Sequence, residues 1–463
     1  MKQQPVAQNL IIFSITLGAF MSTLDSNIVN IALPNIALYF SIPIGSVVWV
    51  TLSYLLVLTS TLLLFGRLSD RVGVKKIFLL GYIVFVAGSL MCGISPTIAA
   101  LIVSRCIQAL GGAMIYTTIF AMVPKFIEQK DRGRAFGFIS TAAGLGVSVG
   151  APLGGLLTGL FSWHWIFLIN IPVGIAAYFL SRRILPEEKV TRTDEKFDIA
   201  GMLLSFAGPT CLIYALNMGH ILGWDSPIIT GTILASFFSF LAFVWWEKRA
   251  RYPLLNMSIF KNKSFLVVNQ MGMLTFLFMA GNNFIIPFFL QYEKGLSVMM
   301  SGVIFLLYSV VYLVVSPFAG RISDHVPSRI LCRAALLSCL LCTLVFCFTI
   351  KLPGLLSVMI FLMWLGASMG FFISPNNSEA MSLAPEGSLG IVSGVFKMVT
   401  NLGMVIGVAV FEMVFSAFAP PDISLAAYGQ GMLLNAFRCT FLVGSIFLFI
   451  SLAVSWQGRT KRS

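Results

Sequence analysis

Asp25 stands in the middle of the first long apolar stretch, and no other charged residue lies between Leu10 and Pro34. A carboxylate near a bilayer centre costs about 2.5–3.5 kcal/mol to insert, so an acid at that depth marks a functional site by default. The structural alternative is a hydrogen bond to a neighbouring helix, aided by Ser26 or Asn27. Arg105 supplies the opposite charge. It lies inside another apolar stretch, three residues before Gln108, where an arginine stays charged and must pair. If the first stretch runs outward and the fourth inward, a rise of about 1.5 Å per residue puts Asp25 and Arg105 at similar depth in the outer half of the membrane. A nearby cation favours an ionised acid and desolvation favours a protonated one. Moving Arg105, or wetting the cavity, would therefore switch Asp25 between proton-free and proton-holding states. The expected roles are proton carrier for Asp25 and regulator for Arg105. They require Asp25 to face a crevice, and neither lipid nor a closed interior.

The elements that must hold these residues follow from composition. Hydrophobic residues make up 58% and charged residues 10%, against about 25% charged in soluble proteins. The chain is an all-α membrane protein. Apolar runs long enough to span number fourteen, with cores at 10–34, 46–66, 77–95, 98–122, 134–157, 163–181, 198–218, 227–246, 264–290, 299–320, 330–350, 354–376, 389–415 and 434–456. Basic residues gather in alternate loops, such as Lys75-Lys76, Arg182-Arg183 and Lys461-Arg462. The positive-inside bias then places both termini in the cytoplasm. The net charge of +13 is a topology signal and not a nucleic-acid footprint, which would need one basic folded face. The eight cysteines read as small hydrophobes, without metal-ligand spacing. Met1–Asn9 has one lysine, and the first run is too long for the apolar core of a cleavable signal.

Internal repeats divide the chain. Gly66-Arg67-Leu68-Ser69-Asp70 ends run 2, and Gly320-Arg321-Ile322-Ser323-Asp324 ends run 10, 254 positions later. Gly137, Gly146 and Gly150 match Gly394, Gly403 and Gly407 at a constant offset of 257. Two six-helix bundles related by a pseudo-twofold are expected at 1–185 and 251–463, with a linker and inserted helices 7 and 8 at 186–250. Repeat-built carriers bind substrate near the midplane between halves. No nucleotide-binding loop, metal site or nucleophilic triad stands out, so neither an ATP-driven pump nor an enzyme is indicated, and no cofactor is expected. The energy source is an ion gradient or the substrate's own.

The hairpin Gly66–Lys76 allows a tight turn at its glycines. Asp70 could satisfy N–H groups at the start of helix 3 and pair with bases of the facing half. With this hairpin the chain resembles the major facilitator superfamily, whose hallmark loop reads G-x-x-x-D-R-x-G. The resemblance implies a cytoplasmic gate at Gly66, Asp70, Arg71, Gly73 and, in the second copy, Asp324. Val74 departs from the family's usual basic residue, with Lys75 and Lys76 beside it. In the second copy His325 replaces the arginine. Leu24-Asp25-Ser26-Asn27 through Pro34, and Trp163-His164-Trp165 through Asn170-Ile171-Pro172-Val173-Gly174, resemble signatures of the fourteen-helix drug:proton antiporter branch. Arg105 with Gln108 is similar to the family's proton-coupling motif, although Ala109 replaces a glycine. Helix 5, with Gly146, Gly150, Pro152, Gly154 and Gly155, resembles the antiporter motif, with Ala151 intruding before the proline. A generic packing face is the rival reading of those glycines.

Candidate cavity groups are Asn27, Gln108, Asn282 and Asn283, Asn376, Lys397 and Glu412. Asn282 and Asn283 stand where the repeat places Asp25. Lys397 either snorkels to the surface or lines the cavity. It is about 22 Å from Glu412 along the helix at 1.5 Å per residue, so the two cannot pair. Glu412 suits the interface or, secondarily, cation or proton binding. The 41 Phe and 21 Met suit a pocket that repacks around varied ligands. The resemblance implies a monomeric exporter of lipophilic cationic or zwitterionic drugs in a bacterial plasma membrane. Protons drive it, and rocking of the halves gives alternating access. A dedicated metabolite exporter and a proton-coupled nutrient importer are the rivals. One midplane acid favours exchange of one proton for a monovalent cation.

Overall fold

The computed structural model describes residues 5–188, 198–250, 262–323, 325–383, 389–419 and 433–457. Among these the chain is helical throughout, without a strand. The first bundle is α1 Pro5–Phe40, α2 Trp49–Val72, α3 Val74–Gly93, α4 Ile98–Phe126, α5 Arg132–Leu160 and α6 Asn170–Ile184. The insert is α7 Ile199–Leu222 and α8 Pro227–Arg249. The second bundle is α9 Lys263–Phe288, α10 Val298–Ser323, α11 Ser328–Thr349, α12 Leu356–Ser382, α13 Leu389–Phe418 and α14 Leu434–Ser455. One-turn helices at Ile44–Val47 and Trp165–Leu168 precede α2 and α6. Thirteen helices among the described residues are long and apolar enough to cross a membrane, and α7 contributes a shorter apolar stretch at Leu203–Gly219. The fourteen expected runs correspond to α1–α14.

Local chemistry sets the ends. Thr97 accepts from the Ala100 N–H at the start of α4, and Asp198 accepts from the Gly201 N–H at the start of α7. Both are side-chain caps for orphan donors. Gly73, at φ 109°, joins α2 to α3 without a loop, a conformation that favours glycine.

Packing follows the repeat. The contacts α1–α5, α2–α4, α3–α4, α3–α6 and α1–α6 recur as α9–α13, α10–α12, α11–α12, α11–α14 and α9–α14. Gly146 and Gly150 face α1, and a Cβ there would lie 2.7 Å from Phe20 O and 2.8 Å from Asn27 Cβ. Their repeats Gly403 and Gly407 face α9 in the same way, 2.3 Å from Met273 O and 2.0 Å from Leu277 O. Small residues here permit close backbone approach. The halves meet along two related seams, α5–α10 and α2–α13, and at α1–α9. The inserted α7 packs on α2 and α13, and α8 packs on α7.

The seams are tight away from the α2–α3 hairpin. Gln291 Nε2 donates to Ile31 O at 3.0 Å, and the Tyr292 hydroxyl donates to Pro34 O at 3.1 Å. Toward the hairpin face, a Cβ on Gly137 or Gly394 would meet nothing within 4 Å. The crevice between the bundles therefore opens on the hairpin face.

Candidate functional site

Asp25 is 0% exposed and Arg105 1% exposed. Their ion pair spans α1 and α4, with Arg105 Nη1 2.8 Å from Asp25 Oδ2. Two amides complete the acid's shell. Gln108 Nε2 and Asn170 Nδ2 each donate to Asp25 Oδ1 at 2.8 Å. Arg105 is held in turn: its Nε donates to Val50 O at 3.1 Å, its Nη1 donates to Gln108 Oε1 at 2.6 Å, and its guanidinium lies 4.0 Å from the Tyr54 ring centre. Ser89 accepts from Gln108 Nε2. The network thus draws on five helices, α1, α2, α3, α4 and α6. Close α3–α4 packing makes room for it, since a Cβ on Gly88 would lie 2.5 Å from Gln108 N.

The structure brings Asp25 and Arg105 together at one depth, but it corrects the expected exposure. Asp25 faces neither lipid nor the crevice; it is sealed inside the first bundle. Gln108, expected at the cavity wall, belongs to the same sealed network. The physical reason is coordination: an acid ringed by one guanidinium and two amides has no face left for the crevice. The α1 and α6 signatures stand apart in the sequence. Asn170 is where they meet, a contact 145 positions apart that no local pattern signals.

The crevice narrows to a small pocket between α1, α5, α9 and α10, where Asn27, Asn30, Asn283 and Tyr308 supply the polar groups. Its enclosed volume is about 10 Å³, room for about one water. Asn283 Oδ1 is buried without a hydrogen-bond partner, an unsatisfied acceptor of the kind a ligand or water would meet. Asn27 and Asn283 were expected here. Asn30 and Tyr308 were not, and only their position on helices facing the crevice identifies them. The other expected cavity groups lie elsewhere. Asn282 and Asn376 are each 1% exposed within the second bundle. Asn376 Nδ2 would lie 3.2 Å from a Cβ on Gly272 of α9. Lys397 is half-buried, one turn beyond Gly394. Glu412, near the end of α13, is 0% exposed and turned toward α7, where Asn217 donates to it.

Helix α5 has two working faces. Gly146, Gly150 and Gly154 receive α1, whereas Gly155 receives α10: a Cβ at Gly155 would lie 2.8 Å from Val298 O and 3.0 Å from Gly302 Cα. Pro152 lies within the helix between these contacts.

At the hairpin, the N–H of Val74 at the start of α3 is capped from an unexpected source. It donates to Glu188 Oε2 at 2.7 Å. Lys125 of α4 pairs with the other oxygen of Glu188 at 3.1 Å, and Lys75 pairs with Glu187 at 2.7 Å. The polar segment after α6 thus folds back over the hairpin. The side chain of Asp70, all of Asp324 and the gate pairing proposed for them lie outside the described residues. Gly66 packs on Thr117 of α4, and Arg71 is exposed. The Lys75 hydrogen bond and charge hold the Glu187 carboxyl below the usual carboxylate range, so this clasp persists at neutral pH and is lost only as pH falls through that lowered value. Glu188→Ala should cost about 0.5–2 kcal/mol as a lost helix cap, read as a lower unfolding temperature of the detergent-solubilised chain. Unchanged unfolding would count against the clasp.

Comparison with known proteins places this geometry. The Major Facilitator Superfamily model matches residues 15–408. The riboflavin transporter RibZ of Clostridioides difficile (strain 630) is 30% identical over 457 residues, covering 98% of this chain and 98% of that protein. The multidrug resistance protein Stp of Mycobacterium tuberculosis (strain ATCC 25618 / H37Rv) is 30% identical over 412 residues, covering 89% of this chain and 76% of that one. Among solved structures, a bacterial homologue of the human lysosomal transporter Spinster, described as inward-facing and unoccupied, superposes with a TM-score of 0.69. It shares 15% identity, and the match covers 98% of this chain and 97% of that one.

Proposed function

The chain belongs to the major facilitator superfamily, a membrane transporter and not an enzyme, and from that premise we propose that it exports lipophilic zwitterionic or cationic small molecules in exchange for protons. The observation that carries the reading is the Asp25–Arg105 pair. A carboxylate and a guanidinium sealed at that depth are expensive to bury, and a proton on Asp25 would loosen Arg105, Gln108 and Asn170 together. Asn27 sits two residues along the same helix and lines the crevice pocket. The requirement that Asp25 itself face the crevice is not met, so the role proposed is an indirect one, in which Asp25 acts on the crevice through α1 without touching it. The moving units are 1–185 and 251–463, the membrane is the bacterial plasma membrane, and the hairpin face and both termini are cytoplasmic. In this assignment the crevice opens to the cytoplasm, ready to load cargo. Its energy comes from the proton gradient, with no cofactor, and the working unit is a monomer. Multidrug resistance in a relative that is 30% identical supports export.

Asp25→Asn should reduce proton-driven drug uptake into everted vesicles to the level of uncoupler-treated wild type. Uptake that survives this substitution would remove Asp25 as the proton site. A second reading has its own support. The pocket's polar groups are three amides and a phenol, with no acid among them, and a riboflavin transporter is a near full-length relative. Such a pocket suits a neutral heterocycle carried by proton symport. Uptake of a flavin by intact cells under a proton gradient, without drug extrusion, would establish it over export.

A further inference from the structure

The two seams between the bundles are equivalent by the repeat but are built differently. On one, Gly155 of α5 lets the α10 backbone approach at Val298 and Gly302. The offset of 257 that relates Gly146 to Gly403 and Gly150 to Gly407 leads from Gly155 to Glu412 of α13. On the second seam, then, a carboxylate stands where the first has no side chain. A third helix attends it, since α7 of the insert packs on both α2 and α13. Glu412 Oε2 accepts from Asn217 Nδ2 of α7 at 2.7 Å, and Oε1 accepts from the Ser416 hydroxyl at 2.7 Å. Asn217 Oδ1 accepts in turn from Trp49 Nε1, at the first residue of α2, at 2.7 Å. Four side chains therefore tie three helices across the seam.

Among the described residues no base answers this acid: no Lys, Arg or His nitrogen lies within 4.0 Å of the carboxylate. On α2 the charged residues sit at the far end, Arg67, Asp70 and Arg71, and on α9 the only one is Lys263 at its start. On α14, Arg438 lies over the Phe348 ring. On α12, Glu379 pairs with Arg329, and on α4, Arg105 pairs with Asp25. The titratable side chains of α7 are Cys211, Tyr214 and His220, and the one-turn helix Ile44–Val47 has none. On α13 itself Lys397 is about 22 Å away along the axis.

We propose that Glu412 is a second proton-binding site and that α7 braces it, so that the α2–α13 seam tightens or slackens with the proton on this carboxylate. The ionised form takes both donors, and its charge strengthens the Asn217 bond, which holds α7 and, through Trp49, α2. In the protonated form, the hydroxyl on Oε1 donates to Ser416 Oγ, whose own hydrogen turns to the helix carbonyl four residues back, a habit of serines in helices. The Asn217 bond then joins neutral groups and weakens. The inserted pair thereby supplies the polar partner that a repeat-derived bundle lacks. The proposal rests on reading the bundles as the moving parts of a carrier.

The test uses the full chain purified into lipid bilayers, with its cysteines replaced and spin labels at Ser46 and Ala417, on the two sides of this seam. Label distances and the infrared band of protonated carboxyls are followed from alkaline to acid pH. The wild-type distance should change with pH. Glu412→Gln should hold the acid-side distance throughout and remove one titrating carboxyl band. Asn217→Ala, which deletes one donor to the ionised form, should displace the midpoint by about one pH unit. A Glu412→Gln protein that titrates like wild type in both readouts would overturn the proposal. Should that variant not insert, Asn217→Ala and Ser416→Ala carry the test, and unmoved midpoints in both overturn it. Transport is not read, so failure of proton-driven export leaves this result intact. Loss of export in Asp25→Asn beside wild-type titration of Glu412→Gln would reject this site alone.

Discussion

Arg105→Ala should lower the stability of the folded chain by about 3–5 kcal/mol, the cost of removing one partner from a buried ion pair. Asp25 is 0% exposed, so its charge would have neither water nor cation. Gln108 and Asn170 would remain as donors, which softens the loss without replacing the guanidinium. The substitution also empties the space over Tyr54 and removes the side-chain donor to Val50 O, which keeps its helical partner. Asp25→Asn/Arg105→Ala should recover part of the loss, because no unpaired charge remains. Unfolding of all three variants in detergent yields the coupling as a double-mutant cycle. An Arg105→Ala protein as stable as wild type, or a double variant no better than it, would show that Asp25 does not depend on Arg105 for its burial. Arg105→Lys is not a conservative alternative. A single ammonium cannot pair with Asp25, reach Val50 O and cover the Tyr54 ring at once.

The helices, the repeat and the Asp25–Arg105 pair were legible in the sequence because each rests on a local or periodic signal. Span length is set by the bilayer, the repeat is written in glycines and hairpins, and depth along two antiparallel helices follows from the rise per residue. What could not be read is the direction a side chain takes around its helix once several partners compete for it. Asp25 was expected at the crevice, yet Gln108 and Asn170 turn it inward. Asn170 carries no charge and lies 145 positions away, so nothing local marks it. Glu188 caps the Val74 N–H of α3 for a similar reason: a segment that reads as linker folds back on a hairpin more than a hundred residues earlier. Glu412 read as interfacial from its place near the end of α13. Its burial depends on α7, whose packing no periodicity announces.

Gly155→Val should abolish cycling while leaving each bundle folded. Its Cβ would lie 2.8 Å from Val298 O and 3.0 Å from Gly302 Cα, backbone atoms that cannot turn aside as a side-chain end could. Overpacking of this kind costs about 1–3 kcal/mol. The contact crosses the seam between bundles, so the cost falls on the state in which α5 and α10 touch, and the bundles can escape it by parting. One to three kcal/mol corresponds to roughly a 5–150-fold shift between two states, enough to populate the form open on the face away from the hairpin. Gly137→Val is the control on the same helix, since its Cβ would meet nothing within 4 Å. Transport should fall to background for Gly155→Val and stay near wild type for Gly137→Val. A cysteine introduced at Val298, which is 8% exposed and whose backbone makes the same contact with Gly155, should become reactive to an impermeant thiol reagent only in the Gly155→Val background. A Gly155→Val protein that transports normally would mean that α5 and α10 need not close at this point, and the glycines of α5 would then serve only to admit α1.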